Sequence, residues 1–354
     1  MSDRPYCLPA EWAPQSGVLL TWPHADSDWR PLLSAVEPVF VRIAAEVARR
    51  EDVVIVCNDA TLAGRVRGLL ADAGVEPGRV RLHVAASQDT WARDHGPITV
   101  VRRGCPLLLD FRFDGWGGKY AAQQDDQISR KLHALGAFEL AAMASVDLVL
   151  EGGSIESDGE GTLLTTRRCL LSPGRGGRSQ AELEGQLLAL FGLERVLWLE
   201  HGQLEGDDTD SHIDTLARFT DPRTIAYQGC DDRDDPHFAE LQAMAEELGR
   251  LRTLAGASYR LVRLPWPRAR YAAPGAPGRR LPASYANFLI VNGAVLVPTY
   301  DDPADERALA SLAACFPGRE IVGVDCRTVI EQGGSLHCLT MQLPANLSLG
   351  PGTV

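Results

Sequence analysis

Residues 288–324 read FLIVNGAVLVPTYDDPADERALASLAACFPGREIVGV, and the order of elements in them sets the architecture. Two apolar, β-rich runs, 288–292 and 294–298, are bounded by Gly, Pro and Asp as strands usually are. Apolar residues at helical spacing follow over 305–316. Asp302-Pro303 ahead of them is a helix start signal. The run 319–324 returns to strand character, so the order is strand, strand, helix, strand.

The same order recurs from about residue 97, near 147–199 and near 213–264, and the N-terminal segment reads as another copy. Further β-rich runs lie at 17–22, 52–57, 80–84, 106–111, 146–150, 195–199 and 259–264. Helical spacing marks 31–50, 61–73, 125–135, 180–191 and 237–251. Ser179 and Glu182 form a capping-box signal at the start of the fourth of these. A unit repeated about every sixty residues predicts a closed, pseudo-symmetric α/β array. An open α/β sheet would use the same elements. No linker is evident, so 1–354 reads as a single catalytic domain. Within it, 266–282 is expected to be a long loop of lid or binding type and 346–354 a disordered tail.

The 354 residues are 45% hydrophobic, ample for a large core. A formal charge of −12 disfavours nucleic acid and anionic membrane surfaces as partners and suits a cationic substrate. No run of about twenty apolar residues offers a membrane span, and the N-terminus lacks a secretory pattern. The eight cysteines are scattered, with no C-x-x-C pair, and are expected to be reduced thiols in a cytoplasmic protein. A homo-oligomer is allowed by the sequence but leaves no signal in it.

Four places carry polar residues that local structure does not require. TWARDHGP at 90–97 packs an indole, a guanidinium, a carboxylate and an imidazole into one loop; a surface turn with an Arg93–Asp94 ion pair is the plainer alternative. LEGGS at 150–154 runs an apolar strand into Glu151 and two glycines, which let backbone approach a ligand closely; an ordinary strand-ending turn has the same look. GDDTDSHID at 206–214 sets four acids beside His212. In an extended segment His212 and Asp214 would share a face, so that a carboxylate could orient or charge an imidazole. A metal is the rival, but no ligand spacing such as H-E-x-x-H appears and no calcium-loop pattern is complete. GGSLHCLT at 333–340 places Cys338 after a Gly-rich turn, where a nucleophile can be exposed, although a lone cysteine is more often a core residue. In a strand His337 would point away from Cys338, which leaves His212 as the expected acid/base partner.

Together these segments resemble the agmatine deiminase and bacterial peptidyl-arginine deiminase family of the guanidine-modifying superfamily. The likeness also runs through LPAEWAPQSGVLLTWPHADSDW at 8–29, FDGWGGKY at 113–120, LEGGSIESDGEGTLLTT at 150–166, CLLSPGR at 169–175 and SYANFLIVN at 284–292. Two positions depart from the family pattern: Ser211 and Ser335 stand where the family usually has glycine. The resemblance implies a five-bladed α/β propeller of the pentein type with the active site in its central pore. It implies Cys338 as nucleophile, His212 as general acid/base, Asp94 and Asp214 as clamps on the guanidinium, and Glu151 as support for the guanidinium or the histidine. Trp91 would cover the planar cation, and Asn287 and Trp116 would line the pocket. The implied activity is hydrolysis of agmatine to N-carbamoylputrescine and ammonia, in putrescine formation, with no metal or organic cofactor. Free or peptidyl arginine is the alternative substrate, and a metal-dependent hydrolase is the alternative class.

Overall fold

The computed structural model describes residues 6–272 and 278–354. The chain divides into two compact units, one made of Met1–Trp12 with Gly153–His337 and the other of Ala13–Gly152 with Cys338–Val354. Two of the three crossings therefore fall beside residues singled out above, after Gly152 and before Cys338.

The first unit repeats one connection three times. An antiparallel pair is followed by a helix and a strand parallel to the second of the pair. Leu289–Val291 pairs antiparallel with Ala294–Thr299, and Glu320–Asp325 lies parallel to the latter after the helix Asp305–Cys315. Register sets Leu289 against Leu296 and Val295 against Ile321. Residues 288–324 thus fold in the order their pattern predicts. Ala217–Asp221, Thr224–Gln228 and Arg260–Leu264 repeat the arrangement around the helix Phe238–Arg250. Ile155–Ser157, Thr162–Thr166 and Arg195–Leu199 do so around Gln180–Phe191. At that helix Ser179 Oγ accepts from Glu182 N, and the Glu182 carboxylate accepts from Ser179 N at 3.0 Å, the predicted capping box.

In the second unit, Ile98–Arg102, Cys105–Arg112 and Ala142–Val149 form the same kind of sheet around the helix Ile128–Ala134. A four-stranded sheet runs Thr340–Pro344, Gln15–Thr21, Asp52–Cys57, Val80–Val84. Its first pair is antiparallel and the others parallel, joined by the helices Leu33–Ala48 and Ala60–Asp72. The antiparallel partner of the N-terminal strand thus comes from the far end of the chain. Asp59 caps the second of these helices, accepting from Leu62 N at 2.8 Å.

Three expectations change. The run 146–150 does not open a repeat: it belongs to Ala142–Val149, the last strand of the preceding sheet, and the next repeat opens at Ile155–Ser157. The strands Ile155–Ser157, Thr162–Thr166 and Ala217–Asp221 are buried yet carry Glu156, Thr162, Thr165 and Arg218, which masks strand character in a hydrophobicity reading. The tail 346–354 has no regular element but is held: Gly350 N donates to Ala137 O at 3.0 Å, Thr353 N to Leu82 O at 2.8 Å, and Leu347 is buried. Pro- and Gly-rich sequence gives no periodicity, and these anchors are tertiary. Within 266–282, Arg270–Tyr271 pairs with Arg280–Leu281. Arg280 bridges to Asp235, which also accepts from Trp266 Nε1, so much of the expected loop is tied down. Its residues 273–277 lie outside the described residues.

Candidate active site

In the first unit the segment 207–214 is not extended. It winds through a tight turn into a short 3-10 helix, Ile213–Thr215. Asp207 organises the turn: its carboxylate accepts from Thr209 N at 3.0 Å and from Ser211 N at 2.8 Å. Arg175, from the CLLSPGR segment, clamps the outside through Asp210 at 2.8 Å and Thr209 O at 2.9 Å. Asp210 and Ser211 take φ of +64° and +74°, the left-handed region that favours glycine. Ser211 is buried and its Oγ meets no hydrogen-bond partner among the described residues. The turn delivers His212 and Asp214 fully buried, with Ile213 and Leu216 between and beyond them packed into a core that includes Phe219, Ile225 and Met244. The sulfur of Cys169 lies within 4.8 Å of a His212 ring nitrogen.

His337 enters this site, contrary to expectation. The segment His337–Leu339 is a 3-10 turn rather than a strand, so the alternation that would turn His337 away is absent. Its Nδ1 lies 2.8 Å from Asp214 Oδ2 and its Nε2 2.8 Å from Glu11 Oε2. Glu11 also accepts from Arg218 at 2.5 Å and from Ile290 N at 2.8 Å. Arg218 Nε donates to Glu156 at 2.6 Å, and its guanidinium lies 4.8 Å from the Phe288 ring centroid. Burial raises the Asp214 carboxyl, but the hydrogen bond and charge of His337, then the charges of His212 and Arg218, outweigh it and hold the carboxyl below its ordinary value. Asn287 ties the backbones together: its Oδ1 accepts from His337 N at 2.9 Å and its Nδ2 donates to Asp214 O at 3.3 Å. Glu11 lies in a turn and Arg218 in a buried strand, and neither carries a local signal in the sequence.

In the second unit TWARDHGP is buried, not a surface turn. Ala92–His95 is a short helix, and Trp91, Arg93 and Asp94 are all buried. Arg93 bonds to Gln342 on the C-terminal strand. Asp94 Oδ2 accepts from Trp116 Nε1 at 3.0 Å. The glycines of FDGWGGKY make that contact possible. Trp116 sits at φ +60° and Gly115 at φ +75°, where a β-carbon would stand 2.3 Å from Tyr120 O. Trp91 packs 5.8 Å from Trp29 by ring centroids, and Asp89 accepts from Trp29 Nε1 at 2.9 Å. Burial lifts Asp89 to about 6 despite its indole and backbone donors, and lifts Asp125, which accepts from Gln88 N and Asp89 N, to about 7. Burial likewise drops His95 to about 3, so this imidazole stays neutral. Glu151 is fully buried, and Gly152 after it passes so close that a β-carbon would lie 2.2 Å from Arg93 O. Cys338 is 3% exposed, at the start of the chain's return into this unit.

Repeated three-stranded units of this connectivity make the chain an α/β protein, and its fold matches that of solved agmatine deiminases of the pentein type. Its particular place is narrower: the chain belongs to the Porphyromonas-type peptidyl-arginine deiminase family, whose model matches residues 7–344. An agmatine deiminase of Pseudomonas aeruginosa (strain LESB58) is 36% identical, the match covering 96% of this chain and 95% of that one. Among solved structures, a Porphyromonas gingivalis protein provisionally described as an arginine deiminase superposes with a TM-score of 0.89 at 50% identity, over 96% of this chain and 99% of that one. A C. jejuni agmatine deiminase, a cysteine-to-serine variant with substrate bound, gives 0.87 at 35% identity over 96% of each. No helix among the described residues is long and apolar enough to cross a membrane.

Proposed function

We propose that this chain hydrolyses agmatine to N-carbamoylputrescine and ammonia, in the cytoplasm, as a step of putrescine formation. The observation that carries the reading is a buried Asp214, its carboxyl held below its ordinary value beside His337, two residues from a buried His212, in a chain that matches an agmatine deiminase over 96% of its length. The substrate is a small cation, in keeping with the net charge of −12, and neither nucleic acid nor membrane is a partner. The three repeats of one unit and the two sheets of the other support reading the chain as one catalytic domain, a five-bladed propeller.

A guanidinium carbon is a weak electrophile because its charge is delocalised. Asp94 and Asp214 bind the N–H groups and fix the carbon, Glu151 supports them, and the indole of Trp91 covers the plane. The Cys338 thiolate adds to the carbon, turning a bimolecular attack into a positioned one. The C–N bond then breaks, protonated His212 delivers its proton to the leaving nitrogen, and ammonia departs. An amidino thioether remains on Cys338. Neutral His212 takes one proton from water as its oxygen adds to the carbon; the C–S bond then breaks as the adduct's remaining hydroxyl proton passes to solvent, which releases the neutral ureido product and restores the thiolate and protonated His212. Asn287, which lines the pocket, also holds it through its bonds to Asp214 O and His337 N.

Free arginine is the second reading, favoured by the 50% identity to the P. gingivalis protein. Ammonia and ureido product are measured side by side from agmatine, arginine and an arginyl peptide. Agmatine is expected to turn over with kcat/KM at least about tenfold above arginine; the reverse order assigns the chain to arginine. Loss of activity to a chelator with indifference to iodoacetamide would instead assign it to metal-dependent hydrolysis.

A further inference from the structure

We propose that His337 is a positioning residue, an imidazolium wedged between Asp214 and Glu11 that fixes the Asp214 carboxylate for a cationic substrate. The inference rests on the function proposed above and deepens it.

Counting protons leads there. Both ring nitrogens lie 2.8 Å from carboxylate oxygens. A neutral imidazole has one N–H, so one of the two contacts would set lone pair against lone pair. An additional proton must lie on the ring or on a carboxyl. Glu11 is ruled out as its holder: Arg218 donates to one oxygen at 2.5 Å and Ile290 N to the other at 2.8 Å, so donors from three groups converge on it. At Asp214 the nearby Arg218 guanidinium, charged whatever the ring carries, favours the carboxylate over the acid. The ring takes the proton.

The result is a buried row of alternating sign: Asp214, His337, Glu11, Arg218, Glu156. Every member is at most 6% exposed, so their mutual attraction is little screened. The row carries one net negative charge, the complement of a bound cation. It is also rigid, because Asn287 fixes the backbones at both His337 and Asp214 and Phe219 N donates to Glu156 at 3.1 Å. Of the other titratable groups, His212 faces Asp214 and the raised carboxyl of Asp207 feels its charge. Neither stands between Asp214 and His337. A neutral residue at 337 would leave two carboxylates in one buried space without the cation that separates them, a large cost per unpaired charge.

The test uses the whole chain labelled with 15N-histidine, together with H337Q and E11Q. In the wild type, one ring is expected to keep both nitrogens protonated to above about pH 8. That signal vanishes in H337Q, and in E11Q the ring loses its proton about one pH unit lower. A wild-type spectrum in which every ring is neutral at about pH 7 overturns the proposal, as does an H337Q spectrum that keeps every doubly protonated ring of the wild type. In steady-state assays with agmatine, H337Q is expected to raise KM at least about tenfold and E11Q about threefold, with circular dichroism unchanged. Unaltered KM in both variants overturns the positioning role. If H337Q does not fold, E11Q carries both measurements. If the wild type does not turn over agmatine at all, the proposed function fails, while the nitrogen spectra still judge the proton.

Discussion

Ser211 holds a conformation that a side chain resists, with φ at +74°, and buries a hydroxyl that no described group meets. Glycine at this position would release both costs while adding entropy to the unfolded chain. S211G is therefore expected to stabilise by about 1 kcal/mol and raise Tm by a degree or two. A lower Tm in calorimetry would mean that the hydroxyl has a partner after all. Ser335 is the opposite case: its hydroxyl lies 3.1 Å from Tyr300 Oη, so serine there is integrated into the packing. For the chemistry, C338S is expected to release no ammonia from agmatine while keeping the wild-type circular dichroism. H212A is expected to lose about 10²–10⁴ in kcat. Turnover by C338S at the wild-type rate would remove Cys338 from the mechanism.

At the scale of elements, the left-handed turn around Trp116 and the short helix Ala92–His95 are built for one contact, the indole N–H on Asp94. W116F keeps an aromatic ring and deletes the donor. A hydrogen bond to a charged group contributes about 1.5–3 kcal/mol, so kcat/KM for agmatine is expected to fall at least about tenfold, checked by steady-state kinetics. The loop ahead of that helix rests on Asp89 and Asp125, whose burial raises them to about 6 and about 7. A carboxyl raised above its unfolded value near 3.8 binds protons on folding. Its contribution is complete below about pH 4 and is lost as pH rises toward 7. D125N keeps an accepting oxygen and removes the titration. Relative to the wild type, it is expected to gain about 2–4 kcal/mol in unfolding free energy between pH 4 and pH 8. Denaturant melts at several pH values read this difference, and a constant offset would show that Asp125 does not titrate in that window.

For the molecule as a whole, the two ends of the chain are joined by a strand pair, Gln15–Thr21 with Thr340–Pro344. The residues after that pair are part of the fold: Leu347 is buried, and backbone bonds reach Ala137 and Leu82. A chain ending at Ala345 loses one buried leucine and three backbone bonds, two of them to distant parts of the chain. That is expected to lower stability by about 2–4 kcal/mol, seen as a lower denaturant midpoint with an unchanged slope. An unaffected midpoint would return the segment to the disordered tail that its composition suggests.

Local pattern sufficed for the elements with apolar faces. The helices 180–191 and 305–316 and the strands around 288–298 are legible because their periodicity is their own. Motifs also marked where polar side chains are buried together, at 90–97, 206–214 and 333–340. Folding settled the rest. Strands such as Ile155–Ser157 and Ala217–Asp221 look polar because Glu156 and Arg218 neutralise each other inside the fold, and no short window along the chain contains both. His337 joined the site only because Glu11, 326 residues away in sequence, closes the row of charges behind it. Burial of a charge is tolerable only with its partner in place, and partners are chosen by the fold rather than by neighbours in the chain.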